Sequence, residues 1–294
     1  MRKWNFVLAA SVCLLAVGCA NNEGKQKVGG NYDFEPDVAG DLDKAKQIFY
    51  ALPSPIETAY LIHSTGVAYS MDLSNSVDKV PNYATTMQKA LNFGVYGADL
   101  SYVSLFNQTQ ASIQYMSAVK SLADDMGIFD FVQADIVNRI ESNINDRDSL
   151  MEIITDGFNS ANDYLKDAGR AEVVALIVAG GWIEGLYLAT SLAQTANDNT
   201  RLIDLVIDQR YSLSILMKLL DNYKKSSNVS MVYGWFADLQ ATYGRIKTMS
   251  SDIKAETTTD GKTKLAADTD IFINDMLFNA ICQKADSIRT LIVK

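Results

Sequence analysis

Residues 89–105 read KALNFGVYGADLSYVSL, and this stretch decides the fold of the chain. At 3.6 residues per turn its apolar side chains form one continuous stripe, and further apolar side chains cover much of the opposite side. A helix with apolar residues nearly all round is buried among other helices. Gly94, Gly97 and Ala98 leave shallow places where a neighbouring backbone can approach closely. The stretch therefore predicts a buried central helix.

One acid lies in the middle of this apolar helix. A carboxylate that is removed from water needs partners, or it keeps its proton through a raised pKa. Asp99 is therefore the most informative polar residue of the sequence. Tyr96 and Tyr102 lie about one turn to either side of it and are candidate partners.

A second apolar segment, residues 173–193, resembles a membrane span by composition. Glu184 in its middle, the Gly180–Gly181 pair and the absence of flanking basic clusters favour a buried helix instead. Tyr187 lies one turn beyond Glu184. We therefore expect a second central helix that also carries a buried acid.

Helical periodicity recurs along the rest of the chain, which contains only four prolines. No alternating apolar run predicts a strand. The sequence thus predicts an all-α fold, a single bundle of about ten helices with two buried central ones. The expected helices cover residues 41–52, 54–66, from about 83 to 105, 108–127, 129–144, 148–165, 173–193, 199–224, 229–255 and 270–292, with an irregular loop at 69–81 and a turn-rich segment at 257–264.

The first residues predict a compartment. A basic start, MRK, precedes the apolar residues 6–17, which are too few to span a bilayer comfortably. Residues 15–19, LAVGC, resemble the lipobox of bacterial lipoproteins, in which the cysteine is acylated; the alternative is an ordinary signal peptide that contains a cysteine. We expect a lipoprotein signal peptide at 1–18, acylation of Cys19, a flexible tether at 19–40 and a helical domain at 41–294.

The resemblance to lipoproteins also implies a membrane. Ala20 is not the aspartate that retains many lipoproteins at the inner membrane, so an outer-membrane destination is implied, and the periplasmic and outward faces both stay open. The chain carries 26 basic and 35 acidic residues. This acidic balance, without a basic stripe, disfavours nucleic acid as a partner. Cys13 would be removed with the signal peptide and Cys19 would be acylated, so only Cys282 would remain and no internal disulfide is expected.

The sequence contains few candidates for chemistry. His63 is the only histidine, and we expect it to be a core or half-buried residue. The usual metal, phosphate-loop and nucleophile motifs are absent, so the sequence predicts neither a metal site nor a cofactor. Asp99 and Glu184 would suit general acid–base work as a pair, although separate structural partners for each acid are the favoured interpretation. The candidate ligand-binding residues are Tyr96, Asp99, Tyr102, Glu184 and Tyr187.

Two segments, LPSPIE at 52–57 and ALNFGVYGADLSY at 90–102, resemble uncharacterised helical lipoproteins of the Bacteroidota. The resemblance is sharpest over residues 50–125 and implies a compartment and a fold, without a mechanism. Ser149 and Ser287 also match a short O-glycosylation pattern of exported proteins from that group, which recurs often by chance.

Three functions follow as hypotheses. The leading one is a membrane-anchored, non-enzymatic lipoprotein that binds or scaffolds an envelope protein, with the lipid bilayer as partner through acylated Cys19. The second is a small-molecule or glycan binder with a pocket between the central helices. The third is a hydrolase that uses the Asp99–Glu184 pair.

Overall fold

The structure is a computed structural model, which describes residues 52–128, 139, 142–143, 146–196, 199–250, 254–257, 263–266 and 269–294. Its α-helices are α1 (Pro55–Ser64), α2 (Thr86–Leu105), α3 (Thr109–Met126), α4 (Arg147–Asp167), α5 (Ala171–Thr195), α6 (Thr200–Tyr223), α7 (Ser227–Tyr243) and α8 (Asp275–Ile292). The α1–α2 loop, residues 65–85, contains two short 3-10 helices, Met71–Leu73 and Val77–Asn82. This architecture confirms the prediction of an all-α helical bundle.

The two apolar segments form the two central helices. In α2, every residue from Ala90 to Leu105 is buried. By length and composition α5 could cross a membrane, yet 89% of its most apolar window is buried inside the protein. The apolar surface of α5 therefore faces other helices, chiefly α2, α6 and α8.

Glycines allow α2 and α5 to touch backbone to backbone. A Cβ atom at Gly94 would lie 2.0 Å from the carbonyl oxygen of Ile177, and one at Gly180 would lie 1.9 Å from the carbonyl oxygen of Leu91. Any side chain at either position would push the two helices apart. Of the shallow places predicted on the first apolar helix, Gly94 is thus a point of close helix contact.

The ends of the helices follow local capping rules. Ser54 Oγ accepts a hydrogen bond from Glu57 N–H, and the Glu57 carboxylate accepts one from Ser54 N–H at 2.7 Å, which is the predicted capping box. A second capping box, formed by Thr85 and Gln88, starts α2 later than we predicted. Gly127 ends α3 with a φ of 68°, a conformation that suits glycine.

The prediction was wrong between Gly244 and α8. In place of a helix to residue 255 and a new one from 270, the structure has four short strands: β1 (Lys247–Ser250), β2 (Lys254–Thr257), β3 (Thr263–Ala266) and β4 (Thr269–Phe272). They pair antiparallel, β1 with β4 and β2 with β3. Threonines are frequent in these strands, and β-branched residues favour extended backbone when no apolar stripe holds them on a bundle.

Several predictions concern residues outside the described part of the chain. They are the signal peptide, the acylated Cys19, the tether, the helix at 41–52 up to residue 51 and most of the helix at 129–144.

Replacing Gly94 by alanine tests the contact between α2 and α5. We expect G94A to lower the free energy of unfolding by about 3 kcal/mol, because the new methyl group meets backbone that cannot turn away. Gly234 in α7 has open space around its Cβ position, so G234A should raise stability by about 0.5–1 kcal/mol through helix propensity. Urea unfolding of both variants measures the difference, and equal effects would contradict the proposed role of Gly94.

Candidate functional site

The contact between α2 and α5 brings the two buried acids together. Asp99 and Glu184 each have an exposed fraction of 0%. Besides burial, the charge of Glu184 raises the pKa of Asp99, which requires the two carboxyl groups to lie close together. The two carboxyl groups therefore share one dry site, and the favoured expectation that each acid has its own separate partners is only partly met.

Arg289 of α8 supplies the positive charge of this site. Its Nε donates to Glu184 Oε2 at 3.0 Å, and its Nη2 donates to Glu184 Oε1 at 3.1 Å. The same Nη2 donates to the carbonyl oxygen of Leu73 at 3.2 Å. The guanidinium carbon lies 4.5 Å from the centre of the Tyr187 ring, a cation–π distance. Arg289 thus joins α8 to α5 and to the α1–α2 loop.

The charges of the site balance when one of the two acids is protonated. Burial raises the pKa of Asp99 well above its usual range, the neighbouring Glu184 raises it further, and the backbone N–H of Asn75 and the charge of Arg289 oppose the shift. Burial also raises the pKa of Glu184, but the charge of Arg289 and its hydrogen bonds counter that effect. Asp99 Oδ1 accepts no hydrogen bond, so it is the atom placed to carry the proton toward Glu184.

The α1–α2 loop covers the site that Asp99 and Glu184 form. Asn75 donates its backbone N–H to Asp99 Oδ2 at 3.0 Å and its Nδ2 hydrogen to the Tyr83 hydroxyl at 3.0 Å. The Tyr115 hydroxyl of α3 donates to the carbonyl oxygen of Asn75 at 3.0 Å. The loop is therefore bound to the same carboxyl group that faces Glu184.

Two more tyrosine hydroxyls hold the loop on either side of Asn75. Tyr96 donates to the carbonyl oxygen of Ser76 at 2.8 Å. Tyr102 accepts the backbone N–H of Ser70 at 2.9 Å, and burial raises the pKa of Tyr102 to about 12. Because hydroxyls with such high pKa values stay protonated, Tyr102 remains neutral at physiological pH.

The five predicted residues therefore belong to one network, in different roles. Asp99 and Glu184 form its ionic centre, Tyr187 packs against Arg289, and Tyr96 and Tyr102 bind the loop. Of the two cavities described below, neither is lined by any of the five.

Sequence reasoning missed Arg289, Asn75, Tyr83 and Tyr115. Arg289 lies in the last turn of an amphipathic helix, where a cation is ordinary, and Asn75 lies in a polar loop. The sequence offered one signal for Arg289, because two buried acids require a cation nearby. A search among the basic residues next to buried apolar positions, such as Ile288, would have included Arg289.

The described cavities lie elsewhere. One of about 220 Å³ is mainly apolar and lies between α1, α2, α4 and α5, with Phe93, Ile177 and Trp182 in its wall. The other, of about 660 Å³, lies between the start of the α1–α2 loop and the end of α5, with Arg201 at its edge. Within the described residues no group of three histidine, cysteine or acidic side chains could hold a metal ion.

The other residues that the sequence analysis named have ordinary structural environments. His63 is half-buried, and its ring packs edge-on against Phe106 with 5.0 Å between ring centres. Ser287 is exposed on α8, and Ser149 is half-buried beside Asp146.

Comparison of the chain with protein-family models, with curated proteins and with solved structures gave no match in any of the three. The interpretation of the site therefore rests on its geometry. In that geometry the two carboxyl groups have no access to solvent, and they serve to join helices.

Removing the charge of Glu184 should destabilise the protein. We expect E184Q to lower the free energy of unfolding by about 3 kcal/mol, because it leaves the Arg289 guanidinium without its counterion in a largely buried place. The exposed pair Arg139–Asp156 is the matched control, and D156N should cost less than about 1 kcal/mol. Chemical denaturation checks both values; a small effect of E184Q would mean that solvent reaches the cluster.

Replacing Asp99 by asparagine should change how stability depends on pH. An acid whose pKa is raised by folding stabilises the protein fully below its unfolded pKa, which is 3.8, and loses that contribution as the pH rises toward the folded pKa. The D99N amide can still accept from Asn75 and donate to Glu184, but it does not titrate. The stability of D99N relative to the wild type should therefore increase from pH 5 to pH 9 in urea titrations. Parallel pH profiles would show that Asp99 is already ionised.

Proposed function

We propose that the protein is a lipid-anchored, non-enzymatic binding module of the bacterial envelope, which binds or scaffolds an envelope protein. The lipobox-like residues 15–19 support the anchor. The proposed destination is the outer membrane, on either of its two faces. The bundle would then be the part that meets partners.

One observation carries the non-enzymatic part of this proposal. The Asp99–Glu184 pair, the best candidate for acid–base chemistry, is fully buried and already bonded to Arg289 and Asn75. General acid–base catalysis requires the acid or base within hydrogen-bond reach of the substrate. The described conformation offers no such place, which counts against the hydrolase hypothesis.

A small-molecule or glycan ligand is the second candidate function. The cavity of about 660 Å³ beside Thr65 and Arg201 has a volume within the usual range for ligand sites. It shares none of the five residues that the sequence singled out, so this candidate now concerns a different place on the protein.

Replacing Cys19 tests the anchor. We expect C19A to lose incorporation of labelled palmitate in cells and to move from the membrane to the soluble fraction, because acylation needs the thiol. The control is C282A, since Cys282 is buried in α8 and should play no part in acylation. Label retained by C19A would contradict the anchor and leave the alternative of an ordinary signal peptide.

Cross-linking and affinity capture test the binding role. The full chain, expressed in its own membrane, should be recovered with a defined envelope partner. A monomer without a partner, or turnover of a substrate that D99N abolishes, would contradict the proposal.

A further inference from the structure

Helix side chains bind the backbone in the middle of the α1–α2 loop in the way that a protein binds a peptide ligand. The backbone of residues 70–76 is contacted at four of its seven residues by side chains that project from the helices. Two side chains accept from its N–H groups: Tyr102 from Ser70 and Asp99 from Asn75. Four donate to its C=O groups: Tyr102, Arg289, Tyr115 and Tyr96 donate to Ser70, Leu73, Asn75 and Ser76. These five side chains come from α2, α3 and α8.

Residues 70–76 of the loop add little to the apolar core. Within residues 70–76 only Asn75 is buried. Met71 is 74% exposed, and Leu73 is half-buried against the core. A segment with few buried apolar contacts belongs to the part of a protein that opens locally at low free energy.

The fit of the loop also leaves two buried side-chain atoms unsatisfied. Neither Ser74 Oγ nor Asn75 Oδ1 has a hydrogen-bond partner among the described residues, and Asn75 has an exposed fraction of 1%. A buried polar atom without a partner disfavours the bound state. The binding of residues 70–76 to the helices therefore depends more on contacts with their backbone than on contacts with their side chains.

We propose that the surface beneath the α1–α2 loop is a binding cleft for a short peptide, which residues 70–76 occupy as an intramolecular competitor. The proposal rests on the proposed binding function and deepens it by naming the chemical class of the partner. The partner is a polypeptide because its backbone repeats the N–H and C=O groups that the five side chains already bind. Opening of the loop frees those side chains, and an incoming peptide replaces the same hydrogen bonds.

An intramolecular competitor lowers the apparent affinity for any external peptide, since only the open fraction can bind. Weakening the loop without changing the cleft should therefore strengthen peptide binding. Leu73 offers such a change, because its side chain packs on the core while the cleft binds only its carbonyl oxygen. Met71, in the same loop but mostly exposed, is the matched control.

The probe is a fluorescein-labelled peptide with the sequence of residues 69–77, YSMDLSNSV, added to the full chain in detergent. In anisotropy titrations we expect L73A to bind it about tenfold more tightly than the wild type does, and M71A to match the wild type. A scrambled peptide should not bind. Circular dichroism of L73A verifies that the bundle remains folded.

Hydrogen exchange of the wild-type protein provides a test without any variant. The amides of Ser70 and Asn75 should exchange about a hundredfold faster than those of Val95 and Tyr96 in the centre of α2. Exchange of the loop amides at the rate of global unfolding would overturn the proposal, and so would a loop that opens in L73A without binding the peptide. If peptide binding fails while a partner is still captured, the binding function stands and its site lies elsewhere.

Discussion

The structure depends on the backbone contact between α2 and α5. Because Gly94 and Gly180 have no side chains, the carbonyl groups of Ile177 and Leu91 lie where Cβ atoms would otherwise be. At this short separation, groups on the facing sides of the two helices are forced into contact. Apolar residues gain close packing there. The two acids, in contrast, are placed beside each other without water.

The second constraint follows from that placement. Two adjacent carboxylates in a dry site would repel each other and would each lack hydration, so a cation and a proton are both required. Arg289 provides the cation from α8, and the raised pKa of Asp99 retains the proton. The buried charges cost desolvation energy, but their directional bonds fix how α8 and the α1–α2 loop sit on the central pair. We interpret the cluster as a device that specifies the arrangement of these elements.

The same cluster connects the core to the surface. Asp99 binds the backbone of the α1–α2 loop, and Arg289 binds it two residues earlier, at Leu73. A change in the conformation of the loop therefore affects the cluster of Asp99, Glu184 and Arg289, and a change in the protonation of that cluster affects the loop.

Much of the fold could be predicted from local patterns, because periodicity, capping and the small number of prolines act within a few residues. The helical class, the two buried helices, the capping box at Ser54 and the importance of Asp99 and Glu184 all follow from the sequence alone. The paired strands after Gly244 did not, since their threonine-rich sequence carries no clear period. The meeting of Asp99, Glu184 and Arg289 was decided only by the tertiary structure. Arg289 lies 105 residues from Glu184 along the chain, and no local rule states which distant cation a buried acid will find once the helices have packed.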